Sequence, residues 1–292
     1  MLLTEGAMCG ERSLLDVCDT PLVRFEEISK KMKTNVYGKI ETGNPTGSHK
    51  DRETLEIISD VKRKRHRSVG CASTGNAAIS LAAYSRMAGV TCHIYVSETI
   101  SQERLGLIQR FSPQVHILKG DYREAVEQSS LEMGEKGIYD ANPGVCYSKI
   151  VGDSHMGEEI ARELQPDFVV VPTNNGTLFT GVWSGLKASN VKPVMVAATA
   201  KDTEVAESIK GFHRFEEPAF SNALKESSGI VVDMTDAEIE EANWLLFKEG
   251  VIAEPASAAS IATVRKLKVS GEDVVCCLIT GSGMKFSNTH IR

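Results

Sequence analysis

Residues 41–52, ETGNPTGSHKDR, set a single lysine, Lys50, between a turn and the start of a helix-like run. Gly43, Asn44, Pro45 and Gly47 interrupt helix and strand alike. Asp51 and Arg52 then lead into apolar positions at Leu55, Ile57, Ile58 and Val61, the spacing of an amphipathic helix over 51–65. A cation in the first turn of a helix faces the unfavourable end of the macrodipole. That place suits an amine that must shed its proton and act as nucleophile and base. The ordinary alternative is a solvated loop lysine. Three further turns carry small or hydroxyl-bearing residues: Ser73-Thr74-Gly75-Asn76, the run 173–178 (TNNGTL), and Thr280-Gly281-Ser282-Gly283. The run 173–178 offers backbone N–H groups at a helix start, the usual form of a phosphate cradle. The Lys50 stretch is not a phosphate loop of the Gly-Lys-Ser/Thr kind, because His49 intervenes between Ser48 and Lys50.

Each of these turns follows a strand-like run and precedes a helix-like one. Strands are predicted at 35–40, 68–71, 90–96, 115–118, 168–171, 194–198 and 274–279. Helices are predicted at 77–87, 101–111, 122–136, 157–164, 178–188, 235–248 and 255–266. Gly89 and Gly137 are placed as helix stops. Ser101 and Thr235 are placed as caps, with Glu238 three residues after Thr235. Residues 142–153 read as less regular, and 209–230 carries no clear pattern. Strand and helix alternate through short connections, which predicts α/β architecture with open, mainly parallel sheets. In such sheets the carboxyl ends of the strands form the ligand crevice, so the four turns can serve one site.

The totals narrow the partners. The chain has 292 residues, 41% of them hydrophobic, enough for a sizeable core in one large or two modest domains. Lys and Arg total 33 against 39 Asp and Glu, and a net charge of -6 argues against a general nucleic-acid or anionic-membrane binder. The basic run 62–67 suits the C-terminal end of a helix; its functional alternative is a nucleic-acid patch. No apolar run reaches membrane-span length, and the N-terminus lacks the pattern of a secretory signal. Seven scattered cysteines, with Cys9 and Cys18 too far apart for a zinc knuckle, predict reduced thiols, a cytoplasmic setting and no metal site.

The combination NPTGSHKDR, ASTGNAA, VVVPTNNGT with GVWSGLK, EPASAA and ITGSGMK resembles the pyridoxal-phosphate enzymes of the tryptophan-synthase β family, fold type II. The resemblance runs in order over about 20–285. Within that family it is strongest toward the threonine synthase branch. It implies two open α/β domains with the cofactor in the cleft between them: 1–53 with 146–292 as the larger, cofactor-binding domain, and 54–145 as a smaller, mobile substrate-side domain. It also implies a homodimer acting on a small amino-acid substrate.

Carried over by position, the resemblance implies that Lys50 joins pyridoxal 5'-phosphate through a Schiff base and later shuttles the substrate's α-proton. Asn76 would contact the ring hydroxyl oxygen. Asn174, Asn175, Gly176, Thr177 and Leu178 would hold the cofactor phosphate, and Thr280 would face the pyridine nitrogen. Ser73, Thr74 and Gly75 would hold the substrate carboxylate. His49 and Lys149 would bear on substrate choice: His49 stands where that branch usually has Phe, and Lys149 follows Asn142-Pro143 where the branch has an arginine. Glu53 stands where it usually has Gly. Each role has an ordinary rival: Asn76 as a helix cap, Thr280 as a turn hydroxyl. The implied reaction converts O-phosphohomoserine and water to threonine and phosphate. The alternatives are β-elimination or β-replacement, as in serine/threonine dehydratases and cysteine or cysteate synthases, and a non-catalytic ligand-binding relative.

Overall fold

A computed structural model describes residue 17 and residues 19–285; Cys9 and Cys18 lie outside them. In chain order the elements are β1 (Leu22–Arg24), α1 (Glu26–Met32), β2 (Asn35–Ile40), α2 (Lys50–Arg63), β3 (Ser68–Ala72), α3 (Asn76–Ala88), β4 (Thr91–Ser97), α4 (Gln102–Gln109), β5 (Gln114–Leu118) and α5 (Tyr122–Lys136). There follow β6 (Tyr139–Asp140), α6 (Tyr147–Glu163), β7 (Phe168–Pro172), α7 (Thr177–Ala188), β8 (Val194–Thr199), α8 (Ala219–Glu226), β9 (Ile230–Asp233), α9 (Asp236–Lys248), α10 (Pro255–Val264) and β10 (Val274–Ile279).

The chain forms two compact units. One comprises Asn44–Thr46 and Lys50–Asn142; the other comprises Asp19–Gly43, Gly47–His49 and residues 143–285. The first contains a four-stranded, all-parallel sheet in the order β5-β4-β3-β6. The second contains a six-stranded sheet in the order β1-β2-β10-β7-β8-β9, parallel except for the antiparallel β1–β2 pair. The expected α/β class with mainly parallel sheets is therefore what the chain adopts.

Sequence period accounts for the larger sheet. β7 (FVVVP) and β10 (VVCCLI) are apolar throughout, as strands covered on both faces must be. Alternate residues feed two separate clusters. Val170, Val196, Val275 and Cys277 enter one; Val169, Val171, Met195 and Cys276 enter the other. Each buried Val, Leu or Ile contributes roughly 1.5–3 kcal/mol. Burial pushes the Cys276 thiol up to about 12 and raises that of Cys277 well above its ordinary value. Both are inert packing groups.

Local signals fix the helix ends. Asp121 and Thr235 each form a reciprocal capping box, with Glu124 and Glu238 respectively. Gly89 and Gly137 close α3 and α5 in the left-handed conformation. Helix α6 departs from expectation: it begins at Tyr147, ten residues before the predicted 157. Gly152 and Gly157 weaken its local propensity, and packing overrides them. A Cβ on Gly185 of α7 would lie 1.9 Å from the Ser154 carbonyl oxygen of α6, so these helices approach at backbone distance. That contact holds α7, and the turn before it, in place. The patternless run 209–230 contains α8 and the start of β9. β1, α1 and β6 were not foreseen either, being too short for a periodic signal.

Candidate active site

Lys50 is the first residue of α2. Its Nζ pairs with the carboxyl of Glu53, fully buried one turn further on. Asp51 next to it receives the Thr46 backbone N–H at 2.6 Å and the hydroxyls of Thr46 at 2.5 Å and Ser80 at 2.6 Å. Ser80 lies one turn into α3, and its hydroxyl is also 2.8 Å from that of Thr54. These bonds join the start of α2 to the first turns of α3, the helix that Asn76 begins. Gly75 takes the N-cap position of α3, so Asn76 is not the cap that the ordinary reading made it. In the preceding turn Ser73 donates its N–H to the Tyr95 carbonyl at 3.0 Å, and its Oγ accepts the Gly75 N–H at 3.2 Å. Thr74 and Gly75 are partly exposed. Buried Asn142 anchors the strand behind: its Oδ1 accepts the Ala72 N–H at 2.7 Å, and its Nδ2 donates to Ser129 and Ser130 Oγ at 2.9 and 3.0 Å.

At the far end of α2 two cations of the basic run meet a carboxyl. Arg63 pairs with Asp60, Lys64 lies 2.8 Å from it, and Tyr139 donates its hydroxyl at 2.6 Å. Burial alone raises the Asp60 carboxyl, but the hydrogen bonds from Lys64, Tyr139 and Arg63 outweigh it and hold the group at about 2. These cations serve the end of their own helix.

The second unit holds the phosphate-cradle candidate. Asn174, Asn175 and Gly176 form the turn between β7 and α7, and Thr177 and Leu178 open the helix. Gly176 sits at φ 91°, and a Cβ there would lie 2.9 Å from Phe220. Only glycine meets both conditions without strain. Asn174 Nδ2 donates to the Ser208 carbonyl at 3.1 Å; its Oδ1 accepts the His213 N–H at 3.0 Å and its carbonyl the Arg214 N–H at 3.1 Å. Asn175 Oδ1 accepts the Thr177 N–H at 3.2 Å. The first-turn N–H groups of α7 lie outside the helix's own ladder and carry the positive end of its dipole.

Thr280 closes β10 and is buried. Its hydroxyl is 3.0 Å from Glu254 Oε1 and 3.0 Å from Ser257 Oγ. Its carbonyl accepts the His49 N–H at 2.9 Å and lies 3.2 Å from His49 Nδ1. Ser48 and Gly281 form a β-bridge beside this pair. The structure thus brings His49 and Thr280 together. Lys149 is buried in the first turn of α6, with Asp153 one turn on.

Several residues beside the expected ones were not singled out: Glu254 and Ser257 against Thr280, and Glu216 against Thr177. The EPASAA motif carries the first two. Glu216 had no signal, because it lies in the patternless run.

Residues 14–281 match the family model described as pyridoxal-phosphate dependent enzyme. The chain is 34% identical to a threonine synthase of Halalkalibacterium halodurans over 93% of this chain and 84% of that protein. It is 31% identical to a threonine synthase of Methanocaldococcus jannaschii, over 97% of this chain and 79% of that protein. Among solved structures, maize serine racemase superposes with a TM-score of 0.82 at 17% identity, over 91% of this chain and 88% of that one. An O-ureido-L-serine synthase gives 0.82 at 21%, over 96% and 94%. Those two likenesses establish the fold. The chain belongs to the pyridoxal-phosphate-dependent enzymes, fold type II. Its cofactor is pyridoxal 5'-phosphate. Taken unit by unit, the residues present fit that cofactor: in the first a lysine at a helix start, and in the second a glycine cradle at the N-terminus of α7 and a buried threonine hydroxyl.

Proposed function

We propose that the chain is a threonine synthase, converting O-phosphohomoserine and water to threonine and phosphate. The observation that carries this reading is the 34% identity to a threonine synthase across 93% of the chain. The same identity supports the lyase class. We also propose a homodimer in the cytoplasm, with 1–53 and 146–292 as the cofactor-binding domain and 54–145 as the substrate-side domain. Among the described residues no helix is long and apolar enough to cross a membrane.

When bound, pyridoxal phosphate supplies an electron sink. The protein's share is to bind, orient and move protons. In this reading the Lys50 amine anchors the cofactor and moves the proton at the substrate's Cα. Asn174, Asn175, Gly176, Thr177 and Leu178 hold the cofactor phosphate on N–H groups. Asn76 meets the ring hydroxyl, and Thr280 meets the ring nitrogen with a hydroxyl, which favours ring protonation less than a carboxylate does. Ser73, Thr74 and Gly75 receive the substrate carboxylate at the N-terminus of α3. His49 and Lys149 bear on the substrate's distal end.

One feature favours a second reading, β-elimination or β-replacement on serine, threonine or an activated serine. Between residues 143 and 153 the basic side chain is Lys149, with no arginine to clasp a phosphate in a bidentate fork. Incubating purified protein with O-phosphohomoserine, serine and threonine separates the two. Threonine synthase activity predicts phosphate release without keto acid. Keto acid from serine or threonine, without phosphate release, establishes the second reading. Cofactor retention with no turnover of these three, nor of an activated serine supplied with sulfide, would mean a ligand-binding relative.

A further inference from the structure

The buried carboxyl of Glu216 sits behind the phosphate cradle. Its Oε1 accepts two protons: the Gly144 backbone N–H at 2.8 Å and the Thr177 hydroxyl at 3.0 Å. The Glu216 N–H donates to the Asn175 carbonyl at 2.9 Å, and its carbonyl accepts the Phe220 N–H at 2.9 Å. One residue therefore touches the cradle through backbone and side chain, and reaches the turn that follows Pro143.

Thr177 has one hydroxyl proton and two acceptors at equal range, since Asn175 Oδ1 also lies 3.0 Å away. Asn175 Oδ1 already takes the Thr177 N–H. Glu216 Oε1 likewise takes the Gly144 N–H, but a carboxylate oxygen is a stronger acceptor than an amide oxygen, so Glu216 sets where the hydroxyl points. With its proton on Glu216 the Thr177 side chain is an anchor, and it holds the first turn of α7, whose N–H groups face the anion site, in one arrangement before a phosphate arrives.

We propose that Glu216 is a positioning residue of the cradle. On one buried oxygen it takes the Thr177 hydroxyl proton, which fixes the first turn of α7 behind the cofactor phosphate, and it ties the cradle to the Pro143-Gly144 turn. This rests on the reading of residues 174–178 as the phosphate site.

The test compares binding of pyridoxal phosphate and of pyridoxal, which lacks the phosphate, to cofactor-stripped full-length protein. If the unaltered protein binds both equally, the cradle reading fails, and this proposal with it. If it prefers pyridoxal phosphate, the cradle stands and Glu216 is judged on its variants. Glu216→Ala should weaken pyridoxal phosphate about tenfold, the size of one lost hydrogen bond, and leave pyridoxal unchanged. Glu216→Gln keeps the acceptor oxygen and should stay within about threefold. Because Glu216 acts through Thr177, the pair Glu216→Ala with Thr177→Val should bind no worse than Thr177→Val alone. Additive losses, equal losses for both ligands, or undiminished binding by Glu216→Ala would overturn the proposal. Should Glu216→Ala fail to fold, Glu216→Asp, which draws the oxygen back by one methylene, runs the same cycle.

Discussion

Two turns of the same kind, strand to glycine to helix, are built in opposite ways. In the turn before α7, Gly176 is at positive φ with Phe220 behind it, and Asn174 is gripped by Ser208, His213 and Arg214. In the turn before α3, a Cβ on Gly75 would meet nothing within 4 Å, and Ser73 is held by the Tyr95 carbonyl and accepts the Gly75 N–H on its Oγ. The first is braced at its glycine by the run 208–220; the second leaves open space at its glycine. The difference fits their proposed partners. A resident cofactor phosphate gains from a cradle formed in advance, whereas a substrate carboxylate must enter and leave at every turnover.

The largest effect should come from Gly176→Ala. Its new methyl meets Phe220 in a conformation that L side chains avoid, so roughly 2–4 kcal/mol of stability and most cofactor retention should go. Thermal unfolding and the cofactor's visible absorbance measure both. If this variant matched the unaltered protein, the brace would have no energetic meaning. Asn174→Ala removes side-chain bonds to Ser208 and His213 and should cost about 1–2 kcal/mol, with weaker binding of pyridoxal phosphate than of pyridoxal. Gly75→Ala should leave thermal stability within about 0.5 kcal/mol, since nothing is struck. Its effect should fall on KM for the amino-acid substrate, and a large stability loss would break the contrast.

Part of this contrast was legible in the sequence. The helix 122–136 and the strands 35–40 and 274–279 carry their own periodicity and end signals, so sequence and structure agree there to the residue. The turn 173–178 was legible as a candidate cradle because small residues follow a buried strand. Its brace was not. Ser208, His213 and Arg214 act on Asn174 largely through backbone groups, which any residue supplies. The early start of α6 was hidden because glycines that lower helix propensity are required by its approach to α7.

A change remote from both turns sets the smallest effect. Asp60 is held at about 2, below the ordinary carboxylate value near 4. A depressed folded-state value means that its contribution is present above about pH 4 and is lost as pH falls toward 2. Because Arg63 and Lys64 are exposed, that contribution is roughly 1 kcal/mol. Asp60→Asn should flatten the pH dependence of unfolding in that window and leave both turns unaffected. An unchanged acid profile would contradict the ion-pair account.

The most direct test of the central claim fixes the cofactor covalently. Protein carrying pyridoxal phosphate is reduced with borohydride, digested and mapped by mass. The account predicts one phosphopyridoxyl group, on Lys50, and no visible cofactor absorbance in Lys50→Ala. Label on Lys149 or another lysine, or an unchanged spectrum in Lys50→Ala, would contradict it.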